Sequence, residues 1–413
     1  MTTVTASSIG SSSLKAQLQR AERRRKWGAF LLVAPLAMFL LVAFVLPIGS
    51  MLWRSVDNSE LAKAMPETAA LLNAWDGKAL PDEAVFAAFA KELKTSVDTG
   101  GLGTVGRRLN YEDPSVRTLL TQAVRKLPEQ PNGSWQETFK TINPRWAELP
   151  TWQIIQRAAP STTDRYLLAA LDRERDANGD IVKVATEKQV YINVFWRTLV
   201  IAGGVTLFCL LLGFPLAYLL STLSTGTSNL LMIFVLLPFW TSLLVRTAAW
   251  IVLLQSGGLV NNALMGLGFI NQPLELVFNR FGVFVAMVHI LLPFMVLPLY
   301  SVMKGISPHY QRAAISLGAH PFAAFWQVYV PQTLAGVGAG TILVFIMALG
   351  YYITPALLGG PSDQMVSYYV AYYTNTTNNW GMAASLGALL LIMTLLLYVV
   401  YQRLVDRQNT TRR

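Results

Sequence analysis

The sequence is poor in the residues that do chemistry. Its one cysteine, Cys209, lies inside an apolar run, which excludes disulfides and thiolate metal sites. Of the three histidines, His289 sits in another apolar run, while His309 and His320 flank a short polar stretch and read as interface groups. No His, Cys or carboxylate set has metal-ligand spacing, and no nucleophile–base pairing stands out. The pattern G-x-x-x-x-G-K-[ST] is absent, so the chain has no phosphate loop for ATP. No catalytic residue and no metal site are therefore assigned. Charge is scarce too, at 14% of residues.

What replaces charge is apolar length. The chain is 53% hydrophobic, a membrane composition. About 20 apolar residues make one helical span, and six runs qualify: 28–53, 192–221, 229–254, 281–303, 331–358 and 382–402. The first is too long for a cleaved signal, being apolar from Trp27 to Trp53 with no A-x-A-like site after it. Pro215, Pro238, Pro293, Pro298 and Pro355, with Gly203, Gly204 and Gly213, fall inside these runs, where neighbouring helices satisfy freed carbonyls and permit bends or close approach.

Between the first two runs lies an insert, 54–189, of soluble composition, with 18 Lys or Arg against 19 Asp or Glu. The remaining 15 basic and 4 acidic residues account for the net charge of +10, so the basic balance belongs to the membrane part and a nucleic-acid reading fails. Lys15, Arg20, Arg23, Arg24, Arg25 and Lys26 precede the first span, and Arg403, Arg407, Arg412 and Arg413 follow the last. Both termini are therefore expected in the cytoplasm. Six spans then place 304–330, with Lys304 and Arg312, inside and the insert outside. Residues 1–13 are small and polar and expected to be disordered; 14–26 read as a basic amphipathic helix on the inner membrane surface. Within the insert, 83–97 and 115–127 have helical spacing, 128–133 and 144–150 read as turns, and 178–184 as the start of a short hairpin. One mainly helical domain is expected there.

The segment 304–330 is too structured for a connector. Ser307 and Pro308 open a short helix over Tyr310–Leu317, Gly318 ends it in the left-handed region, and a second helix runs from Pro321 to Val330, with Pro331 opening the fifth span. Ala313, Ala314 and Leu317 share a small face on which a partner could come close to the backbone.

Here the chain resembles the inner-membrane permease subunits of ATP-binding-cassette importers, whose cytoplasmic signature reads E-A-A, two residues, then L-G-A. Arg312, Ala313 and Ala314 stand at E-A-A, followed by Leu317, Gly318, Ala319 and later Pro331. Arg312 replaces the family's Glu, and a carboxylate on the partner would suit it. A narrower resemblance covers 190–405: LLPFWTSLLVRTAAWIVLLQSGGLVN (236–261) and TPALLGGPSDQM (354–365) are similar to segments of spermidine/putrescine-type permeases. Many of those carry an acidic residue a few positions before the second segment, where Tyr351 stands here. The insert has no counterpart in typical members.

The resemblance implies an all-α membrane protein, a six-transmembrane-helix type I ABC importer permease bundle with an extracytoplasmic insert domain. Its parts would be a cytoplasmic basic segment (1–27), the first transmembrane helix (28–53), a periplasmic insert (54–189), a five-helix permease core (190–405) with coupling loop 304–330, and a cytoplasmic tail (406–413). It implies a bacterial inner-membrane subunit without catalysis or cofactor of its own. ATP and Mg would be bound by a partner ATPase dimer, and a second homologous permease and a periplasmic solute-binding protein would complete the assembly in the lipid bilayer. Arg312, Ala313, Ala314, Leu317, Gly318 and Ala319 would contact the ATPase. The solute would be a polyamine, with amino-acid-like, opine or phosphonate compounds next.

For the substrate pathway the candidates are Phe239, Trp240, Arg246, Tyr351 and Tyr352. Arg246 is the chief charge inside a span, either lining the pathway at an outer gate or serving structure; the aromatic rings suit a cation or a planar solute or merely the membrane interface. Glu275 and Asp363, acidic residues of the short outer loops, either attract a cation or keep the loops soluble. The insert is expected to be a platform for the binding protein or second permease, or else a decoration. A secondary transporter, or a membrane-anchored receptor using the insert, remains the alternative.

Overall fold

The structure, a computed structural model, describes residues 10–131, 133–176 and 179–410. Among the described residues, six helical segments are long and apolar enough to cross a membrane: Arg20–Arg54, Tyr191–Thr222, Leu243–Gly266 (two helices, Leu243–Leu254 and Leu259–Gly266), Arg280–Lys304, Pro321–Gly350 and Trp380–Arg403. The chain divides into two compact units, Met1–Arg54 and Ser55–Arg413.

The first unit is a helical rod. Residues Gly10–Leu40 form one uninterrupted helix, so the separate surface helix expected over 14–26 does not exist; the basic segment continues straight into the apolar span. Of the segment expected to be disordered, 1–9 lie outside the described residues and 10–13 already belong to the helix. A π turn, Leu41–Val45, leads into Leu46–Arg54, with the Leu46 N–H donating to Leu41 O. The cause is Pro47, which has no N–H and whose ring would strike the carbonyl four residues back; widening the turn ahead of it removes that clash.

In the second unit, the helices Tyr191–Thr222, Arg280–Lys304 and Val330–Gly350 form the centre of the membrane part around Val205, Cys209, Leu291, Met295, Leu299 and Val344. Their close approach depends on small residues four apart. A Cβ on Gly336 would lie 3.1 Å from Pro298 O, and one on Gly340 would lie 2.7 Å from Met295 Sδ. This is small-xxx-small packing, where backbones meet because no side chain separates them.

Two expected spans are corrected. The run 229–254 is not one helix: Thr225–Leu236 ends in a 3-10 turn, Leu237–Trp240, and a new helix, Leu243–Leu254, begins two residues later. Pro238 cannot continue the ladder, and Ser242, extended at φ −59° and ψ 142°, starts the next helix. Nor does the fifth span run from 331 to 358. It is continuous from Pro321, passes a second π turn at Phe325–Tyr329, and stops at Gly350, leaving Ile353–Leu358 as a separate short helix.

The insert has its own core. Helices Glu60–Ala64, Pro66–Ala74, Glu83–Asp98, Gly101–Asn110, Pro114–Lys126, Trp135–Ile142 and Leu149–Arg157 enclose a cluster of Phe86, Phe89, Phe139, Trp146 and Trp152. Rings in that cluster meet at centroid distances of 4.4 Å (Phe86–Trp152) to 5.8 Å (Phe86–Phe139). Fully buried aromatics of this size dominate such a core. Residues 144–150, expected as a turn, instead form a 3-10 turn, Pro144–Ala147, and the start of the helix Leu149–Arg157. A hairpin pairs Arg173–Arg175 with Ile181–Lys183; of the stretch expected to begin it, Asn178 lies outside the described residues, as does Asn132 in the turn 128–133.

Among the contacts that seat the insert on the ends of the membrane helices are the following. The Asp172 carboxylate accepts from the N–H groups of Val190, Tyr191 and Ile192 at 3.0, 3.0 and 2.8 Å, capping the helix that begins at Tyr191. Tyr166, on the helix Arg165–Ala170, packs with Val194, Val366, Met382 and Leu386, lying where a Cβ on Gly381 would fall. The Tyr111 hydroxyl donates to Asn378 O at 3.1 Å.

Candidate functional site

The loop after Lys304 is assembled from consecutive caps. Ser307 accepts from the His309 N–H, and Pro308 takes the first helical position, where its missing donor is harmless. The helix Pro308–Ser316 then closes in a Schellman motif: Gly318 N–H donates to Ile315 O at 2.9 Å and Ala319 N–H to Ala314 O at 3.1 Å. Gly318 has φ +92°, a conformation any side chain would strain. Leu-Gly-Ala is thus a helix stop, with Ala319 and Ala314 the two small residues that its six-residue hydrogen bond brings together. His320 is not simply an interface group, because its Nδ1 accepts from Phe322 N–H and starts the next helix at Pro321.

The loop leaves its apolar residues open. Leu317 is 90% exposed, and Phe322 and Trp326, whose rings lie 6.2 Å apart, are 68% and 54% exposed. Arg312 and Ala313 are exposed and Ala314 is half-buried; Arg312 forms no ion pair with any described residue.

Below this surface the loop is rooted in aromatic packing. Phe325 and Tyr329 stack at 5.5 Å, and Tyr218, near the C-terminal end of the helix Tyr191–Thr222, meets them edge-on at 5.4 and 5.3 Å. Lys304 Nζ adds donations to Ser221 O and Leu223 O, carbonyls at the end of that same helix. The π turn at Phe325–Tyr329 carries the loop into the fifth span, with Val330 N–H donating to Phe325 O and Gln332 Nε2 to Val328 O. The expectation that Pro331 opens the span is overturned: the helix is already running, and the wide turn ahead of Pro331 repeats the arrangement ahead of Pro47. Sequence reasoning missed this root, although an aromatic run ending in proline (FWQVYVP) was its visible trace.

Of the pathway candidates, Phe239, Trp240 and Arg246 lie at the break in the third helix pair, Thr225–Leu236 and Leu243–Leu254. Arg246 reaches back over the break, its Nε donating to Thr241 Oγ1 at 3.1 Å and its Nη2 to Thr241 O at 2.8 Å and to Pro238 O. Phe239 packs on Phe294, centroids 4.9 Å apart, while Trp240 is 75% exposed. Arg246 is near enough to His289 and Tyr351 for its charge to act on both, and Trp250 Nε1 donates to His289 Nδ1 at 3.2 Å. Tyr351 caps the fifth span and is half-buried, and Tyr352 is 39% exposed. Asp363 is not a solubilising loop residue: 4% exposed, it pairs with Arg280 Nε at 3.0 Å and accepts from Gly360 N–H, fixing the segment after the fifth span.

A family model described as the binding-protein-dependent transport system inner membrane component matches residues 204–410. The chain is 35% identical over 223 residues, 53% of its own length and 78% of the relative's, to the spermidine/putrescine transport system permease protein PotB of Haemophilus influenzae. It is 30% identical over 226 residues, 51% of this chain and 71% of the relative, to the inner membrane ABC transporter permease protein YdcU of Escherichia coli K12. A solved chain of a bacterial alginate ABC transporter in complex with an alginate pentasaccharide-bound periplasmic protein is 17% identical, with a TM-score of 0.45, covering 52% of this chain and 78% of that one. The insert lies outside the family match.

Proposed function

The chain belongs to the binding-protein-dependent transport system inner membrane components, and on that premise we propose that it is one permease of an ATP-driven importer for polyamines or a related small nitrogenous solute. It is a multi-pass membrane protein of helices. The polyamine assignment is supported by the relatives named as spermidine/putrescine permeases. ATP and Mg would be held by a separate ATPase dimer. A second permease would complete the bundle and a periplasmic protein would deliver the solute.

The observation that carries this reading is the exposed helix, glycine corner and helix at 308–324, joined to two spans by the Tyr218–Phe325–Tyr329 cluster. An ATPase pressing on Leu317, Phe322 and Trp326 would move a stiff element, because the Schellman motif and the His320 cap leave few soft torsions. The displacement would pass through packed rings to the inner ends of Tyr191–Thr222 and Val330–Gly350. At the far end of that motion lies the broken helix. In this reading Trp240 and Phe239 offer faces to a cation, and Arg246, bonded to Thr241 Oγ1, Thr241 O and Pro238 O, positions the break and does not grip the solute. Both termini and 304–330 would face the cytoplasm and 54–189 the periplasm, where the insert would offer the binding protein a platform.

The test is co-purification of an ATPase with the tagged chain, repeated with Gly318→Val. A β-branched residue at φ +92° carries a left-handed penalty of at least about 1–2 kcal/mol, so ATPase recovery and solute uptake should fall together. An unmodified chain that brings down no ATPase would overturn the importer reading; a Gly318→Val chain that couples normally would remove the loop from it.

A further inference from the structure

Beneath the insert's hairpin lies a cleft of about 860 Å³ whose floor carries more positive than negative charge. Glu112, its side chain 5% exposed, is gripped by three guanidinium groups: Arg108 at 3.1 Å, Arg157 at 2.9 Å, and Arg165. All four residues line the cleft. Arg108 is buried to 2% exposure and holds Asn58 Oδ1 through Nε at 2.5 Å, yet its Nη2 has no hydrogen-bond partner among the described residues. Two further carboxylates act here, Glu60 at Tyr111 and Tyr166 and Glu174 at Arg165, so guanidiniums outnumber carboxylates on the cleft floor alone. The rim is close to balanced, with Arg175 bound to Asp164 at 3.1 Å.

This is costly to maintain for structure alone. A buried charge is expensive unless paired, and a third guanidinium on one carboxylate adds repulsion in place of pairing. Burial, and then the charge of Arg108, pull Arg165 down to about 10, and the same two causes lower Arg157. An anion entering the cleft would offset the repulsion among all three. Planar forks of guanidinium donors match carboxylate and phosphate oxygens, and the volume is that of a small-molecule site.

We propose that this cleft binds a small organic anion through a carboxylate or phosphate group held by Arg108, Arg157 and Arg165. The site has a structural consequence. Arg108 and Arg157 belong to the helical body of the insert, whereas Arg165 begins the helix whose next residue, Tyr166, packs at Gly381 on the last span. A bound anion therefore ties the body of the insert to the element that seats it on the membrane helices.

The experiment uses the full chain in lipid nanodiscs. Thermal unfolding is followed in increasing succinate or inorganic phosphate against sodium chloride of equal ionic strength, with hydrogen exchange of 105–112 and 155–168 as a second readout. A saturable rise in melting temperature with succinate or phosphate, slower exchange in both segments, and loss of the effect in Arg157→Gln are expected; which probe responds separates carboxylate from phosphate recognition. Arg157 is chosen because its side chain is about half exposed, at 52%, so its replacement leaves the Arg108–Asn58 core in place. The proposal is overturned if neither probe exceeds chloride, or if the response persists unchanged in Arg157→Gln.

Discussion

Replacing Arg246 with alanine tests whether the break in the third helix pair is held open by design. Two effects oppose each other. Arg246 makes three hydrogen bonds across the break, and bonds to a charged group contribute about 1.5–3 kcal/mol each, or roughly 4–9 together. Against that, an arginine inside a span costs up to about 2.5–3.5 kcal/mol on insertion scales, which alanine recovers. The net is a loss of about 1–6 kcal/mol, concentrated at Thr241 O, since Pro238 O keeps the Thr241 N–H and hydroxyl as donors. The expected result is a lower melting temperature in detergent and a fall in solute uptake by proteoliposomes that carry the full transporter. Arg246→Lys should lie between, since one ammonium can serve one carbonyl but not span Thr241 Oγ1, Thr241 O and Pro238 O. If alanine leaves both melting temperature and uptake at the parental level, the clamp has no role. If lysine is no better than alanine, the bonds themselves are not what matters.

Two other consequences can be measured directly. Gly340→Leu would thrust a side chain into Met295, whose Sδ already sits 2.7 Å from where the Cβ would be; the expected outcome is loss of folded protein by size-exclusion chromatography, with Gly350→Ala, which meets nothing, as the tolerated control. In the insert, hydrogen bonds from Ser115 and then Arg145 hold the Asp113 carboxyl at about 2, below its ordinary 3.8. Because the folded value is the lower one, its contribution is present above pH 3.8 and lost as pH falls toward 2. Hydrogen exchange in 114–126 should therefore quicken between those limits, and Asp113→Asn should remove that acid step.

The parts of this molecule legible in its sequence are those fixed by local chemistry. Ser307 before Pro308, and Gly318 after a run of helix formers, specify a start and a stop without help from the rest of the chain, and the caps fell where those residues put them. The span limits were harder because hydropathy measures composition over a window and is indifferent to backbone continuity. Leu237, Phe239 and Trp240 raise the apolar score of 229–254 while the chain there is breaking at Pro238. Long-range pairing was out of reach altogether. Asp363 looks like any loop carboxylate until Arg280 is found beside it, and Glu112 gives no sign in sequence of the arginines that converge on it from 45 and 53 positions downstream.

The π turn at Phe325–Tyr329 contains one residue more than an α-helical ladder would use. Each residue advances a helix by about 100°, so that extra residue sets the azimuth of everything before it relative to everything after it. Leu317, Phe322 and Trp326 point in the direction they do, relative to the face of Val330–Gly350 buried on Met295, because of a single count in the chain. Evolution can re-aim the surface offered to a partner, by about a quarter turn, through loss or gain of one residue here, leaving both the glycine corner and the membrane packing untouched.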